Sequence, residues 1–425
     1  MSFAKQFSYS SLHRIIQVFS SIILVLCMMK VWGKSEYGYY AYYISIATIL
    51  LAIAEFGTPN VFRRNYTDTE SHTKKEVYSS LYVLRLLFIT PIALTFLGLG
   101  WYYNSLFFIY YSLVTVIISF RLNEYKLEMN SENKFISKMK SLIYLFGLIT
   151  KVTAIYNGAT LETIGLITLI EHCLFTLAFI KRTGFDFKFN MLKKDLLKAF
   201  FYTSAAFAST YIIALLGGKI YTLLVFNVLG SEETAVFAFS TRMLEILLVP
   251  TQVFPVVIIP LLMKSTLSRD ILYTHINRAF SYLYLGITIC SVFVLPIILP
   301  YIIDGTENIV QFLPLYCLTL VFSLGNTLAG VYFISLNYNK ILIYRSLGLL
   351  ISNLSTGLLF MELWGLLGTI YSIIFSFFIV DIVGAVFSLA CRKEYRFRLA
   401  GFLKPWLLLK SILNLSETFR HSNKS

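Results

Sequence analysis

Apolar stretches about as long as a bilayer core is thick recur along the whole chain, each closed by a short polar or charged turn. A helix rises about 1.5 Å per residue, so roughly 20 residues cross a hydrocarbon core of roughly 30 Å. The spacing predicts spans at 12–32, 37–58, 77–99, 104–120, 139–157, 161–180, 200–226, 235–262, 279–303, 309–336, 341–360 and 364–390. Composition agrees: 57% of residues are hydrophobic and only 14% charged, where soluble domains carry about 25% charged residues. A membrane β-barrel needs strict alternation over segments of about ten residues, and the runs 44–54 and 283–301 do not alternate. The expected fold class is therefore an all-α polytopic membrane protein, with about twelve transmembrane helices in two six-helix bundles around a central cavity. The first run, 15–31, follows Lys5 and Arg14 as a signal peptide would. It is too long for a typical signal core and lacks a small-residue cleavage site, so it reads as an uncleaved first span.

Charge sets the orientation. Of the 36 lysines and arginines, 30 lie on alternate turns and at the two chain ends, while Lys30 and Lys34 alone lie on the opposite side. Positive residues stay in the cytoplasm, which places both termini there. The net charge of +14 thus describes a membrane face and its lipids, and not a nucleic-acid surface. The longest basic turn, 181–199, divides the chain into 1–190 and 191–390, followed by a cytoplasmic or interfacial tail at 391–425. Paired bundles of this kind are a common transporter plan.

Catalytic chemistry is missing. Gly33-Lys34-Ser35 ends like a phosphate-binding loop, but Met28 stands where the first glycine belongs. No HExxH or GxSxG occurs, and the five cysteines lack metal-ligand spacing. No cofactor or metal is expected, and the chain is not read as an enzyme. A membrane glycosyltransferase or polymerase is disfavoured by the small outer turns.

Ionisable groups inside a membrane normally face a cavity or a partner. Four cations lie within spans: Arg85, Lys151, Lys219 and Arg242. They are the candidate substrate-binding residues, suited to a polyanionic headgroup. Glu171, Asp381 and Glu245 are candidates for ion coupling or cavity lining, with Glu55 near an inner end. Simpler roles stand beside these. Arg242 and Glu245 are spaced for a local ion pair, Lys151 is close enough to an end to snorkel, and Glu171 and Asp381 suit helix packing. Tyr37, Tyr39, Tyr40, Tyr42 and Tyr43 form an interfacial belt or a sugar-stacking surface. Pro250, Pro255, Pro260, Pro296, Pro300 and Pro314 are expected to bend spans eight to ten.

The run Trp32-Gly33-Lys34-Ser35-Glu36-Tyr37-Gly38-Tyr39-Tyr40, then Ser45-Ile46, Glu55-Phe56-Gly57-Thr58 and Arg63-Arg64, resembles the polysaccharide flippases. These are the Wzx-type O-antigen translocases of the MATE-like exporter superfamily. Gly33, Tyr37, Gly38, Phe56, Gly57, Arg63 and Arg64 carry that resemblance. Gly218-Lys219-Ile220, Leu229-Gly230 and Phe237-Ala238-Phe239-Ser240 match more loosely, with Gly218 where the family usually has an acidic residue. The resemblance implies passage of an oligosaccharide on undecaprenyl diphosphate from the inner to the outer leaflet, for O-antigen or capsule, with a polysaccharide polymerase as a partner. With no ATP-binding signature, an ion gradient or downstream consumption is expected to supply the energy. The alternative is a cation-coupled exporter of drugs or small metabolites, which favours carboxylates over cations in the cavity.

Overall fold

A computed structural model describes residues 3–66, 71–248, 262, 269–302, 307–336, 338–408 and 411. The described residues are almost wholly helical and contain no strand. In hydrocarbon every backbone group must be satisfied within its own segment, which a helix alone achieves without closing a barrel. Among the described residues, nine helices are long and apolar enough to cross a membrane, with shorter apolar helices at Ile16–Val31 and Leu215–Leu229. The protein is a polytopic, all-α membrane protein.

The chain divides into two units, Met1–Lys219 and Ile220–Ser425. Unit 1 contains α1 (Phe3–Val31), α2 (Gly33–Glu55), α3 (Thr58–Tyr66), α4 (Ser71–Tyr102), α5 (Leu106–Ile118), α6 (Leu122–Met129), α7 (Asn133–Tyr156), α8 (Leu161–Thr183) and most of α9 (Lys194–Leu229). Its core packs α2, α4 and α5 through Ala47, Ala54, Ile89, Phe96, Phe107 and Phe108. Outward faces of the unit are apolar and open: Leu94 on α4 is 62% exposed and Ile149 on α7 65%. Such a surface is stable against lipid tails, which are as apolar as the side chains themselves.

The stretch 121–138, expected as a basic loop, is mostly helical. A 3-10 turn at Ser119–Arg121 leads into α6, and α7 begins at Asn133. Arg121, Glu124, Glu128 and Glu132 pair with Glu55, Lys140, Arg63 and Arg182 on other helices of the unit, so the chain folds back onto the bundle end.

Unit 2 contains the end of α9, α10 (Ser231–Leu247), α11 (Arg269–Ile302), α12 (Glu307–Cys317), α13 (Thr319–Ser335), α14 (Asn339–Phe387) and α15 (Leu389–Phe402). Pro296 and Pro300 fall inside α11 and Pro314 inside α12. Pro250, Pro255 and Pro260 lie outside the described residues. Within α14, Trp364 and Gly365 leave helical geometry, Gly365 with φ 56°. The two arms fold back on each other, with Thr356 Oγ1 2.6 Å from Ser372 Oγ. The hairpin expected at 362–363 therefore turns at 364–365, where glycine tolerates positive φ. The tail opens as α15, capped by Ser388 and packed on unit 2 with Cys391, Glu394 and Gly401 buried.

Candidate functional site

The break between α2 and α3 builds the first wall of a cavity. Phe56 and Gly57 both take left-handed backbone, φ 43° and 64°, and Thr58 Oγ1 donates to the Glu55 carbonyl at 2.7 Å. A Cβ on Gly57 would stand 2.6 Å from the Ser204 carbonyl oxygen of α9, so only glycine allows this approach. The Phe56 ring stacks on Phe88. This turn sets α3 so that Arg63 faces inward, while Arg64 remains exposed.

Behind the turn lies a cavity of about 530 Å³ at the basic end of unit 1. Its charged lining holds three carboxylates, Glu55, Glu124 and Glu128, and three cations, Arg63, Arg121 and Lys140. Arg63 Nε donates to Glu128 Oε2 at 2.9 Å, and its guanidinium lies 4.8 Å from the Tyr125 ring centroid. Arg121 Nη1 donates to Glu55 Oε1 at 2.8 Å, and its Nε lies 3.5 Å from Glu124 Oε2. Lys140 donates to the other oxygen of Glu124. Tyr144 and Tyr211 complete the wall with polar-tipped rings.

The pairs are unequal in exposure. The Arg63 and Arg121 side chains are 39% and 32% exposed, against 24% for Glu128, 19% for Glu55 and 5% for Glu124. A guanidinium has five donors, and a carboxylate partner engages one or two of them. The cavity thus presents cationic edges in front of carboxylates that neutralise them from behind. Planar guanidinium edges suit bidentate contact with phosphate or carboxylate.

The span cations predicted from sequence do not come together in this cavity. Arg85 is fully buried behind it, 3.8 Å from Glu55 Oε1. Its Nη2 donates to the Ile118 carbonyl at 3.1 Å, and its Nε and Nη1 have no hydrogen-bond partner among the described residues. Lys151 on α7 and Glu171 on α8 form one interhelical pair at 2.7 Å. Gly147 leaves the room for that carboxylate, since a Cβ there would overlap Glu171 Oε1. Lys219 is half-buried on α9, the last residue of unit 1. In unit 2, Arg242 Nη1 pairs with Glu245 Oε2 at 2.7 Å on the same helix. Asp381 is shared by Arg345 at 2.8 Å and Arg398 at 2.9 Å. Burial raises the Glu394 carboxyl above its ordinary value, against the pull of Arg398 and the Tyr273 hydroxyl. Of the hairpin residues, Gly33 begins α2 with φ 83°, and Tyr37 and Gly38 are buried.

Arg121, Glu124, Glu128 and Lys140 escaped the sequence reading because they fell in or beside an expected loop. Arg121, Glu124 and Glu128 recur at helical spacing, and that period was the available signal. Among the described residues, no group of three or more His, Cys, Asp and Glu is placed to hold a metal ion.

No protein-family model matches the chain, and no curated protein matches it in sequence. Solved structures do match. An inward-facing multidrug resistance MATE family transporter of the MOP superfamily aligns with TM-score 0.68 and 13% identity, over 93% of this chain and 98% of its own. The lipid II flippase MurJ, in an inward closed conformation, aligns with TM-score 0.67 and 16% identity, over 96% of each chain. The MATE multidrug transporter DinF-BH aligns with TM-score 0.61 and 12% identity, over 92% of this chain and 97% of its own. At these identities the likeness shows a shared fold along nearly the whole chain.

Proposed function

We propose that this protein carries an oligosaccharide linked to undecaprenyl diphosphate from the inner to the outer leaflet of a bacterial cytoplasmic membrane. One observation carries the reading: Arg63 and Arg121 are more exposed in the basic-end cavity than the carboxylates that pair with them. An entering diphosphate meets donors first, and charge-assisted contacts to it are about twice as strong as neutral ones. Glu55 and Glu128 hold both guanidiniums in place and are displaced as phosphate oxygens take over their donors. Lys219 and Arg242 are further substrate contacts in this reading, while Arg85 steadies Glu55 from behind. Lys151 with Glu171, and Asp381 and Glu245 with their arginines, are the ionisable groups through which an ion gradient acts.

The fold likeness to a lipid II flippase supports a lipid-linked cargo, and the fold likeness to MATE transporters supports transport over catalysis. Both termini face the cytoplasm, and the membrane lipids supply the path for the polyprenyl tail. A second reading, a cation-coupled exporter of small molecules, is favoured by the three carboxylates of the same cavity.

Deletion in a strain without a redundant flippase separates the two. Loss of surface polysaccharide, with undecaprenyl-linked repeat units accumulating on the cytoplasmic leaflet, is the expected result. Normal polysaccharide together with new sensitivity to small cationic compounds would overturn it in favour of the exporter.

A further inference from the structure

At the opposite, cation-poor end of unit 1, three turns converge: those joining α1 to α2, α4 to α5 and α7 to α8. The Trp32 indole donates to the Ala159 carbonyl at 3.0 Å and ties the first turn to the third. Between them is a second cavity of about 510 Å³, walled by the rings of Trp32, Tyr39, Tyr43 and Tyr103 and by Glu36 and Glu162. No lysine or arginine lines it. Besides Trp32, the Tyr43 and Tyr103 rings are held in place before any ligand arrives. Tyr43 packs 5.6 Å from Tyr103 and 4.7 Å from Phe108, centroid to centroid. Ser105, also in the lining, is 5% exposed, and its hydroxyl has no hydrogen-bond partner among the described residues.

An interfacial belt explains single aromatic rings that meet the headgroup layer. It does not explain rings gathered on a concave wall with two carboxylates and no compensating cation. A concave site that combines aromatic rings with a few convergent polar groups is a usual form of small-molecule site. Ionised carboxylates only accept hydrogen bonds, so the ligand must donate, and it must have a flat apolar face for the rings. It must also tolerate, or carry charge opposite to, two negative groups.

We infer that this cavity binds a pyranose ring of a neutral or amino-bearing sugar and rejects sugars that carry a carboxylate. The axial C–H face of the ring lies against the tyrosines, and its hydroxyl or ammonium groups donate to Glu36 and Glu162. A uronate would bring a third negative charge to a site without a cation, a repulsive element of the kind that creates specificity. The inference rests on the proposed function in one respect: the sugar reaching this end is the glycan of the lipid-linked cargo. The two ends of unit 1 then divide the substrate, with phosphate at the basic cavity and sugar at the acidic one.

The test uses the purified full-length protein in detergent and saturation-transfer NMR with soluble sugars. Chitobiose should receive saturation, and glucuronate should receive about tenfold less under the same conditions. Tyr39→Leu, at a ring already 43% exposed, should weaken the chitobiose signal about fivefold while elution and helicity stay unchanged. The double variant Glu36→Gln with Glu162→Gln should raise the glucuronate signal to within about threefold of chitobiose. Absence of saturation on chitobiose, equal signals from both sugars in the unaltered protein, or variants that match it would overturn the inference. This readout is independent of translocation. Binding in a protein whose deletion leaves polysaccharide normal refutes only the flippase reading. No binding in a protein whose deletion abolishes polysaccharide refutes only the sugar pocket.

Discussion

The two units solve the same electrostatic problem in opposite ways. Each has one carboxylate shared by two arginines: Glu55 by Arg121 and Arg85 in unit 1, and Asp381 by Arg345 and Arg398 in unit 2. In unit 2 the cluster is closed. The Arg345 and Arg398 side chains are 8% and 14% exposed. Arg398 also reaches Glu394, which accepts from the Tyr273 hydroxyl at 2.6 Å. In unit 1 the corresponding cluster lines an open cavity, and Arg121 keeps an accessible edge. Residue type therefore does not separate a structural charge from a binding charge. What separates them is whether packing seals the site: Arg345 and Arg398 are nearly buried, whereas Arg121 keeps an edge in a cavity. A closed network joins α11, α14 and α15, and an open one can exchange a carboxylate for a ligand.

That contrast predicts unequal consequences of mutation. Asp381→Ala should have the largest effect, because two nearly buried guanidiniums lose their common counter-charge. Removing one partner of a buried ion pair typically costs about 3–5 kcal/mol, so the protein should fall to trace levels in membranes. Quantitative immunoblotting checks this, and near-normal accumulation would show that unit 2 is not held by its closed cluster.

Arg63→Ala and Arg121→Ala should act on transport more than on folding. After Arg121→Ala, Glu55 retains Arg85 and Glu124 retains Lys140, so neither carboxylate is stranded. A charged hydrogen bond contributes about 1.5–3 kcal/mol, which corresponds to roughly tenfold or more in binding. Surface polysaccharide should drop by about that factor at near-normal protein level. Arg63→Lys should retain part of the activity, since a point charge survives where the planar fork is lost. Protein loss in step with polysaccharide loss would instead make the open cluster structural.

The smallest change in stability is expected from Arg242→Ala combined with Glu245→Ala. This pair lies three residues apart on one helix, with side chains 31% and 37% exposed. Such pairs contribute about 0.2–0.5 kcal/mol, so the double variant should accumulate normally. If Arg242 contacts substrate, it should nevertheless lose polysaccharide. Wild-type polysaccharide from the double variant would remove Arg242 from the substrate path and leave Lys219 as the remaining candidate of the two.

Much of the architecture was legible because lipid imposes a one-dimensional constraint. The apolar runs marked the spans, and the hairpin at 364–365 lay within two residues of its expected place. The motif Glu55-Phe56-Gly57-Thr58 was visible as a pattern, but its reason was not. Gly57 is required by the backbone of α9, which is more than 140 residues away in the chain. Similarly, α15 fell in an expected cytoplasmic or interfacial tail, because its charges find their partners on other helices, at Asp270, Asp381 and Tyr273.

The sequence by itself determined the helical class, the positions of the membrane-length runs and the segregation of cations to one set of turns. Each follows from the cost of placing polar groups in hydrocarbon, which depends on residue type and length alone. Tertiary structure alone decided which charges neutralise each other and which remain open. It turned Lys151 and Glu171 from two separate candidates into one pair, and it drew Arg121 and Glu124 out of an expected loop, beside Lys140 of the next span, into a cavity wall. A Coulomb interaction falls with distance and rises with burial. Both quantities are set by how helices pack, and neither can be read along a single strand of sequence.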